Sequence, residues 1–333
     1  RVSLATVDRV LHGRSGVRPS TVARVMAAAN QLGYVLEPTM VDRKSPTRAL
    51  SIVFLLPEHG PGFLALLKSV IDCTQDRWLA LRVQCHIETY PTANSEAYAR
   101  ALLRYGRRYN GLVMIGVDDP QIHEAVRILG EEGIPVITLS SDLINVPRLA
   151  YVGMDNHAAG RTAAELMIRL MGPKNMHQRI KFALAAGSLS YRSHVEREAG
   201  FMQRVYEHPQ SIDVVGLHEG RSDAEGDDRR ACALLKDHRD LTGIYCNSGG
   251  ISAVARALKE FKLAHKVVVI GHALAPETRS LLMDGTLDAC IVESHPLLVG
   301  NCVRIFANWR DGNPLTQGTE QIRIQVLFRE NLP

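Results

Sequence analysis

Val2-Ser3-Leu4-Ala5-Thr6-Val7-Asp8-Arg9-Val10-Leu11-His12-Gly13 opens the chain. After a Gly-containing break comes Arg18-Pro19-Ser20-Thr21-Val22-Ala23-Arg24-Val25-Met26, running on to Gly33-Tyr34. Ser3 has the side chain to cap a helix over Leu4 to Leu11, since its hydroxyl can accept an orphan N–H of the first turn. Val7, Val10 and Leu11 share one face of that helix. Pro19 suits the first turn of a second helix, where a missing N–H costs nothing. Val22, Val25, Met26, Ala29 and Leu32 form its apolar stripe, and Gly33 ends it. Two short helices across such a break also fit a small packing unit with no further role. The order of the residues carries more.

The segment resembles the DNA-binding headpiece of the LacI/GalR (lactose-repressor/galactose-repressor) family. In that family the pattern Val-Ser-x-x-Thr-Val-x-Arg-Val marks the recognition helix of a helix-turn-helix. Val2, Ser3, Thr6, Val7, Arg9 and Val10 match it here. The resemblance implies that Ser3, Leu4, Ala5, Thr6 and Arg9 face DNA, with Leu4 and Ala5 at base-reading positions. Arg18 and Arg24 become phosphate candidates. A helix-turn-helix needs a helix before the recognition helix. The sequence starts at Arg1 without Met, so we expect residues 1–34 to be a partial headpiece whose first helix is missing.

Charge placement agrees. The net charge is +4, yet residues 1–48 hold eight basic and three acidic side chains, leaving the other 285 residues near −1. A basic headpiece on a neutral body fits binding of double-stranded operator DNA by the headpiece. Residues 35–49 lack apolar periodicity and read as a hinge or linker. In the family this stretch carries a helix that inserts leucine into the minor groove. Arg43 stands at the leucine position and Met40 at the preceding alanine. Arg43 would act there through charge.

From Ser51 onward, short apolar runs alternate with amphipathic stretches. Strands are expected at Ser51–Leu56, Leu81–Ile87, Gly111–Ile115 and Pro135–Leu139, separated by helices. The pattern repeats from Asn156 to Phe328. Such alternation implies parallel sheets covered on both faces. The fold class is α/β: a two-lobed effector domain like the type I periplasmic binding proteins, behind the partial all-helical headpiece. This domain spans 50–333, with lobe 1 about 50–150 plus 293–316 and lobe 2 about 151–275 plus 317–333. The resemblance implies crossings near Tyr151, near Ala275 to Val292, and near Gly312 to Gln321. The apolar helices Phe63 to Leu79 and Ile122 to Leu129 are candidate faces of a homodimer, though burial on their own sheet explains their apolarity equally.

Ligands of open α/β sheets bind beyond the carboxyl ends of strands. The strand-end side chains Phe63, Asp119, Asp142, Arg192, Asn247, His272 and Glu293 are therefore effector-binding candidates, and the resemblance adds Arg197 within the helix expected over His194 to His208. Most are hydrogen-bonding types, as a sugar or polyol requires. The resemblance singles out Asp142, Arg197 and Asn247 as ligand contacts. Two positions depart from the family: Ala273 replaces an acid, and Glu293 stands where Gln is frequent. The ligand class stays open between hydroxyl, amine and anionic groups.

Dinucleotide, phosphate-loop, zinc-protease and nucleophile-elbow motifs are absent. The 13 histidines are dispersed, and the six cysteines form no Cys-x-x-Cys pair. His194 and His208 read as helix-surface residues, and most cysteines as free buried thiols. We expect no enzyme activity, no cofactor, no metal and no membrane partner, since no run of 18 apolar residues occurs. The expected function is an effector-controlled repressor in the cytoplasm, with a small sugar, polyol or sugar derivative as effector. The alternative is an exported sugar-binding protein without a transcriptional role.

Overall fold

The computed structural model describes residues 49–333 apart from 59–60, 92–93, 173–179, 210–211 and 218–223, together with positions 2, 3, 6, 7, 10, 17, 21, 24 and 25; the side chains at 61–64, 217 and 224–225 are outside the description. The chain divides into two compact units, Arg1–Arg48 and Ala49–Pro333. In the first unit the Ser3 hydroxyl accepts from the Thr6 N–H at 3.2 Å, the capping its position predicts. Thr6, Val7, Val10, Thr21, Arg24 and Val25 are helical, so the segment is helix-turn-helix-like. Leu4, Ala5, Arg9, Arg18 and Arg43 lie outside the described residues.

The second unit holds two sheets. The first has the order β2-β1-β3-β4-β5, all parallel. Its strands are β1 (Leu50–Pro57), β2 (Val83–Tyr90), β3 (Gly111–Met114), β4 (Val136–Leu139) and β5 (Ala150–Val152). Helices α1 (Pro61–Leu79), α2 (Ser95–Arg108) and α3 (Pro120–Glu131) connect them. In β1 the run Ile52-Val53-Phe54-Leu55-Leu56 is wholly buried, because helices cover both faces and each side chain meets apolar neighbours. Leu67, Ile71 and Trp78 of α1 pack on one face of this sheet. Ile122, Val126 and Leu129 of α3 pack on the other. The apolar stripes of both helices thus cover their own sheet.

The second sheet has the order β11-β10-β9-β8-β6-β7. Its strands are β6 (Ile180–Ala185), β7 (Ile212–Leu217), β8 (Gly243–Cys246), β9 (Val268–His272), β10 (Ala289–Val292) and β11 (Gln325–Leu327). Helices α4 (Asn156–Leu170) and α5 (Arg192–Tyr206) cover one face. Helices α6 (Ala224–Asp237), α7 (Ile251–Glu260) and α8 (Pro276–Met283) cover the other. The last helix, α9 (His295–Asp311), follows β10 yet buries Leu298, Val299, Cys302 and Phe306 in the core of the first lobe. The chain therefore crosses between lobes after β5, after β10 and after α9.

Two strands depart from the sequence reading. β5 is only three residues long, too short to register as an apolar run. β11 pairs antiparallel with β10. Every strand from β6 to β10 leaves its sheet toward the first lobe, but β11 comes back from α9 on that lobe and so enters the sheet from the opposite end. All six cysteines are free, and four of them (Cys85, Cys246, Cys290 and Cys302) are buried.

Candidate functional site

The carboxyl ends of β4, β8, β9 and β10 meet the first turns of α4 and α5, and a buried polar layer forms there. Helix α4 starts at Asp155, whose carboxylate accepts from the Ala158 N–H at 2.8 Å. It runs against α5 at unusually close range. A Cβ on Gly160 would stand 1.9 Å from the Arg197 carbonyl oxygen, and one on Gly200 would stand 2.0 Å from that of His157. Glycine at both positions lets the backbones touch. This contact seats the Arg197 side chain between the helices, 8% exposed.

Arg197 donates from Nε to Asn156 Oδ1 at 2.8 Å and from Nη1 to the Asn247 carbonyl at 2.9 Å. Both partners are neutral. Among the described residues no carboxylate lies within ion-pair distance of this guanidinium. Asn247, fully buried at the end of β8, accepts from the Gly187 N–H at 2.8 Å and donates to the His194 carbonyl at 3.3 Å. It thereby ties the β6 loop and the start of α5 to its own strand. His272, at the end of β9, pairs through Nε2 with the Tyr245 hydroxyl at 2.8 Å. Its Nδ1 is buried without a hydrogen-bond partner.

Glu293, at the end of β10, joins the layer to the lobe crossing. It accepts from the Ser140 hydroxyl at 2.5 Å and from the Met154 N–H at 3.1 Å. The Tyr151 hydroxyl donates within the same crossing, with the Ser140 and Met154 carbonyls at 3.2 and 3.0 Å. The Asn156 amide adds a donor to the Tyr151 hydroxyl at 3.0 Å. One connected network therefore runs from Glu293 through Ser140, Tyr151 and Asn156 to Arg197 and Asn247.

The other sequence candidates stand apart from it. Asp142 is held by Arg148 in a two-pronged ion pair at 2.7 and 2.5 Å and also accepts from Thr138 and Leu143. Burial works to raise its pKa, but these donors outweigh it and hold the carboxyl below the usual range. Arg192 pairs with Glu196 one turn along α5 at 2.6 Å. Asp119 caps α3 by accepting from the Gln121 N–H at 2.8 Å. Phe63 lies in α1, but its side chain is outside the description.

Sequence reasoning missed several members. His194 is half-buried rather than fully on the surface, and its Nδ1 sits 3.0 Å from the Ser188 carbonyl. Burial, and secondarily the Arg197 charge, push its pKa down to about 4 against the opposing Ser188 hydrogen bond. The same two causes and His194 hold His272 well below the ordinary value. Both rings are therefore neutral near pH 7 and act as hydrogen-bonding groups. Tyr90 stacks on Tyr98 with ring centroids 3.5 Å apart. Tyr191, just before α5, packs against the core of the first lobe. Tyr90 closes β2 immediately before Pro91, a strand-end signal that could have drawn attention to it.

The lobes meet directly. The Asp118 N–H donates to the Ser190 carbonyl at 2.8 Å, and the Ser193 N–H to the Ser141 hydroxyl at 3.4 Å. A separate surface groove of about 370 Å³ lies between α2 and α3, lined by Ala99, Leu103, Ala125 and Ile128 with a charged rim. It contains none of the polar layer, so the strand-end cluster is the better candidate for recognising a polar molecule. Among the described residues no group of three or more His, Cys, Asp or Glu stands close enough to hold a metal ion.

Comparison with known proteins matches residues 91–314 to the family described as periplasmic binding protein domain, and residues 1–36 to bacterial regulatory proteins of the lacI family. The HTH-type transcriptional regulator RafR of Escherichia coli is 28% identical over 213 residues, covering 62% of this chain and 58% of RafR. The chain thus spans less than two thirds of that regulator. GanP, a glucose-galactose binding protein from Geobacillus stearothermophilus, superposes with a TM-score of 0.74 at 23% identity, covering 86% of this chain and 99% of GanP. A periplasmic solute-binding protein of an ABC transporter from Actinobacillus succinogenes, solved with bound D-allose, has a TM-score of 0.72 at 15% identity and covers 84% of this chain and 98% of its own. These solved structures establish the fold. They also overturn the expected cytoplasmic location: the body has the architecture of a periplasmic binding protein, and a cytoplasmic setting is not a property of that architecture.

Proposed function

The chain belongs to the periplasmic-binding-protein domain family, with a LacI/GalR-type regulatory segment at its start, and on that premise we propose that residues 49–333 bind a small hydroxylated solute between the lobes. The function is binding, not catalysis. The observation that carries it is Arg197, a buried guanidinium fixed at the strand ends by Asn156 and Asn247, with no carboxylate partner among the described residues. A buried charge held in this way is suited to fixing ligand oxygens. Proteins of the same fold are described with glucose, galactose and D-allose, which makes aldoses the first ligands to try.

The test is a thermal-shift screen of the whole chain against sugars, sugar acids, polyols and amino sugars. A hit should lose its stabilisation in Arg197→Ala and Asn247→Ala. A hit that stabilises both variants fully would move the site elsewhere.

A second reading couples this site to DNA. The lacI-family match over residues 1–36 and the likeness to RafR support operator binding by a homodimer, with the ligand changing operator affinity. Ligand binding between the lobes is common to this reading and to a solute-binding protein without a transcriptional role, and it has the broader support. A DNA selection with the full-length protein separates the two. Enrichment of a symmetric site supports the regulator; no enrichment leaves solute binding alone. Sedimentation at micromolar concentration tests the dimer, and a persistent folded monomer would refute it.

A further inference from the structure

We propose that the interlobe site takes a ligand bearing an oxyanion, a carboxylate or phosphate on a hydroxylated frame, seated where the first turns of α5 and α7 converge beside Arg197. This rests on the reading of the strand-end cluster as the ligand site.

Two helices point uncapped N-termini at this place. Neither Tyr191 before α5 nor Gly250 before α7 makes a side-chain capping hydrogen bond, and neither helix has an acid in its first turn. Both present the positive end of a helix dipole, but the Ser193 and His194 N–H groups of α5 are already taken by the Ser141 hydroxyl and the Tyr191 carbonyl, so it is α7 that offers the N–H groups of its first turn. Gly250 has φ 79°, which favours glycine, and a Cβ at Gly249 or Gly250 would meet nothing within 4 Å. The approach to α7 is therefore open. Asn247 draws the two ends together, because it bonds Gly187 and His194 on the α5 side and lies three residues before Gly250 on its own.

Independent observations point to a ligand there. His272 is 4% exposed, yet its Nδ1 has no hydrogen-bond partner. Burial and the neighbouring Arg197 keep that ring neutral, so it does not add a second full charge. The Arg197 guanidinium is buried and meets only neutral oxygens. The carboxylates of the lobe crossing and of the first turns of α5 are already engaged. Asp142 is taken by Arg148, Glu196 by Arg192, and Glu293 by Ser140 and the Met154 N–H. A neutral sugar hydroxyl donates as well as accepts, so a site for it needs free acceptors. This site offers a guanidinium with no carboxylate partner, whereas each nearby carboxylate already carries donors. Guanidinium and helix N-termini together match an oxyanion.

The experiment compares matched ligands by calorimetry on the whole chain: D-glucose with D-glucuronate and glucose 6-phosphate, and D-galactose with D-galacturonate. At least one anionic compound should bind tenfold or more tighter than its neutral partner, and the better of glucuronate and glucose 6-phosphate identifies the oxyanion. Ser252→Asp places a carboxylate in the first turn of α7, where it suits the helix dipole and spares the fold. It should weaken the anionic ligand at least tenfold, whereas Ser252→Asn should not. Neutral sugars that bind as tightly as all of their anionic partners, or a tight anionic ligand indifferent to Ser252→Asp, overturn the oxyanion while leaving the solute-binding reading intact. Failure of every compound, neutral and anionic, overturns both.

Discussion

Arg197 donates from Nη1 to the Asn247 carbonyl oxygen at 2.9 Å, so a helix on one face of the second sheet is locked to the end of its third strand from the edge. The same guanidinium holds Asn156 at the start of α4. On the solute-binding reading, ligand recognition and the packing of two helices would share one side chain.

Arg197→Ala should destabilise the free protein as well as abolish the ligand response. Two buried oxygens, Asn156 Oδ1 and the Asn247 carbonyl, would lose their donor. The expected loss is about 1–3 kcal/mol in urea denaturation. Arg197→Lys should recover part of that stability but little of the binding, because an ammonium cannot span both partners in one plane. An Arg197→Ala protein as stable as the parent would show that these bonds contribute nothing.

Gly160→Ala should cost more than its single methyl suggests. The new carbon would stand 1.9 Å from the Arg197 carbonyl, so α4 and α5 must part. Overpacking of this kind costs about 1–3 kcal/mol or more. Gly249→Ala, with nothing within 4 Å, is the control and should change stability by less than about 0.5 kcal/mol. Equal melting temperatures for the two variants would contradict the close approach.

Glu293→Ala should loosen the lobe crossing. It leaves the Ser140 hydroxyl and the Met154 N–H without their acceptor. Hydrogen exchange should speed up around residues 140–156 while the sheet cores stay protected, and solution scattering should show a larger radius. Glu293→Gln keeps one acceptor and should fall between. Unchanged exchange in Glu293→Ala would exclude this tie as a brake on lobe motion.

Acid should weaken the fold in two stages. His194 has its pKa near 4 in the folded chain against an ordinary 6.5, so between those values the unfolded chain binds a proton that the native state does not. Stability is full above about pH 6.5 and falls as the pH drops toward 4. His272 acts with the same sign. Asp142, held below the usual value of 3.8, contributes stability that is lost only at still lower pH. His194→Gln should flatten the upper stage and Asp142→Asn the lower. Denaturation midpoints across pH 3–7.5 check both.

On the operator-binding reading, Arg24→Ala should weaken all DNA sequences alike. Arg24 is helical and exposed, a suitable geometry for phosphate contact. The slope of log affinity against log salt should then drop by about 1. A change in sequence preference with no change in slope would mean a base contact instead.

The alternation of buried strands and amphipathic helices, and with it the two-lobed α/β architecture, was legible in the chain because strand and helix periods are local properties. The Ser3 cap and the lacI-type pattern were equally local, spanning a few turns. So was Asn247 as a strand-end polar residue, whereas Arg197, inside a helix, stood out only through the family resemblance. What the tertiary structure decided is which polar groups are already spent. Asp142 looked like a free acid until Arg148, six residues on, was found folded against it. Glu293 looked like a cleft carboxylate, yet it closes on Ser140 from 153 positions away. His194 looked exposed, but the Asn247 tie draws its end of the helix inward. β11 runs antiparallel because α9 docks on the other lobe. Hydrogen-bond satisfaction and strand direction depend on partners far apart in sequence, and no local pattern encodes those distances.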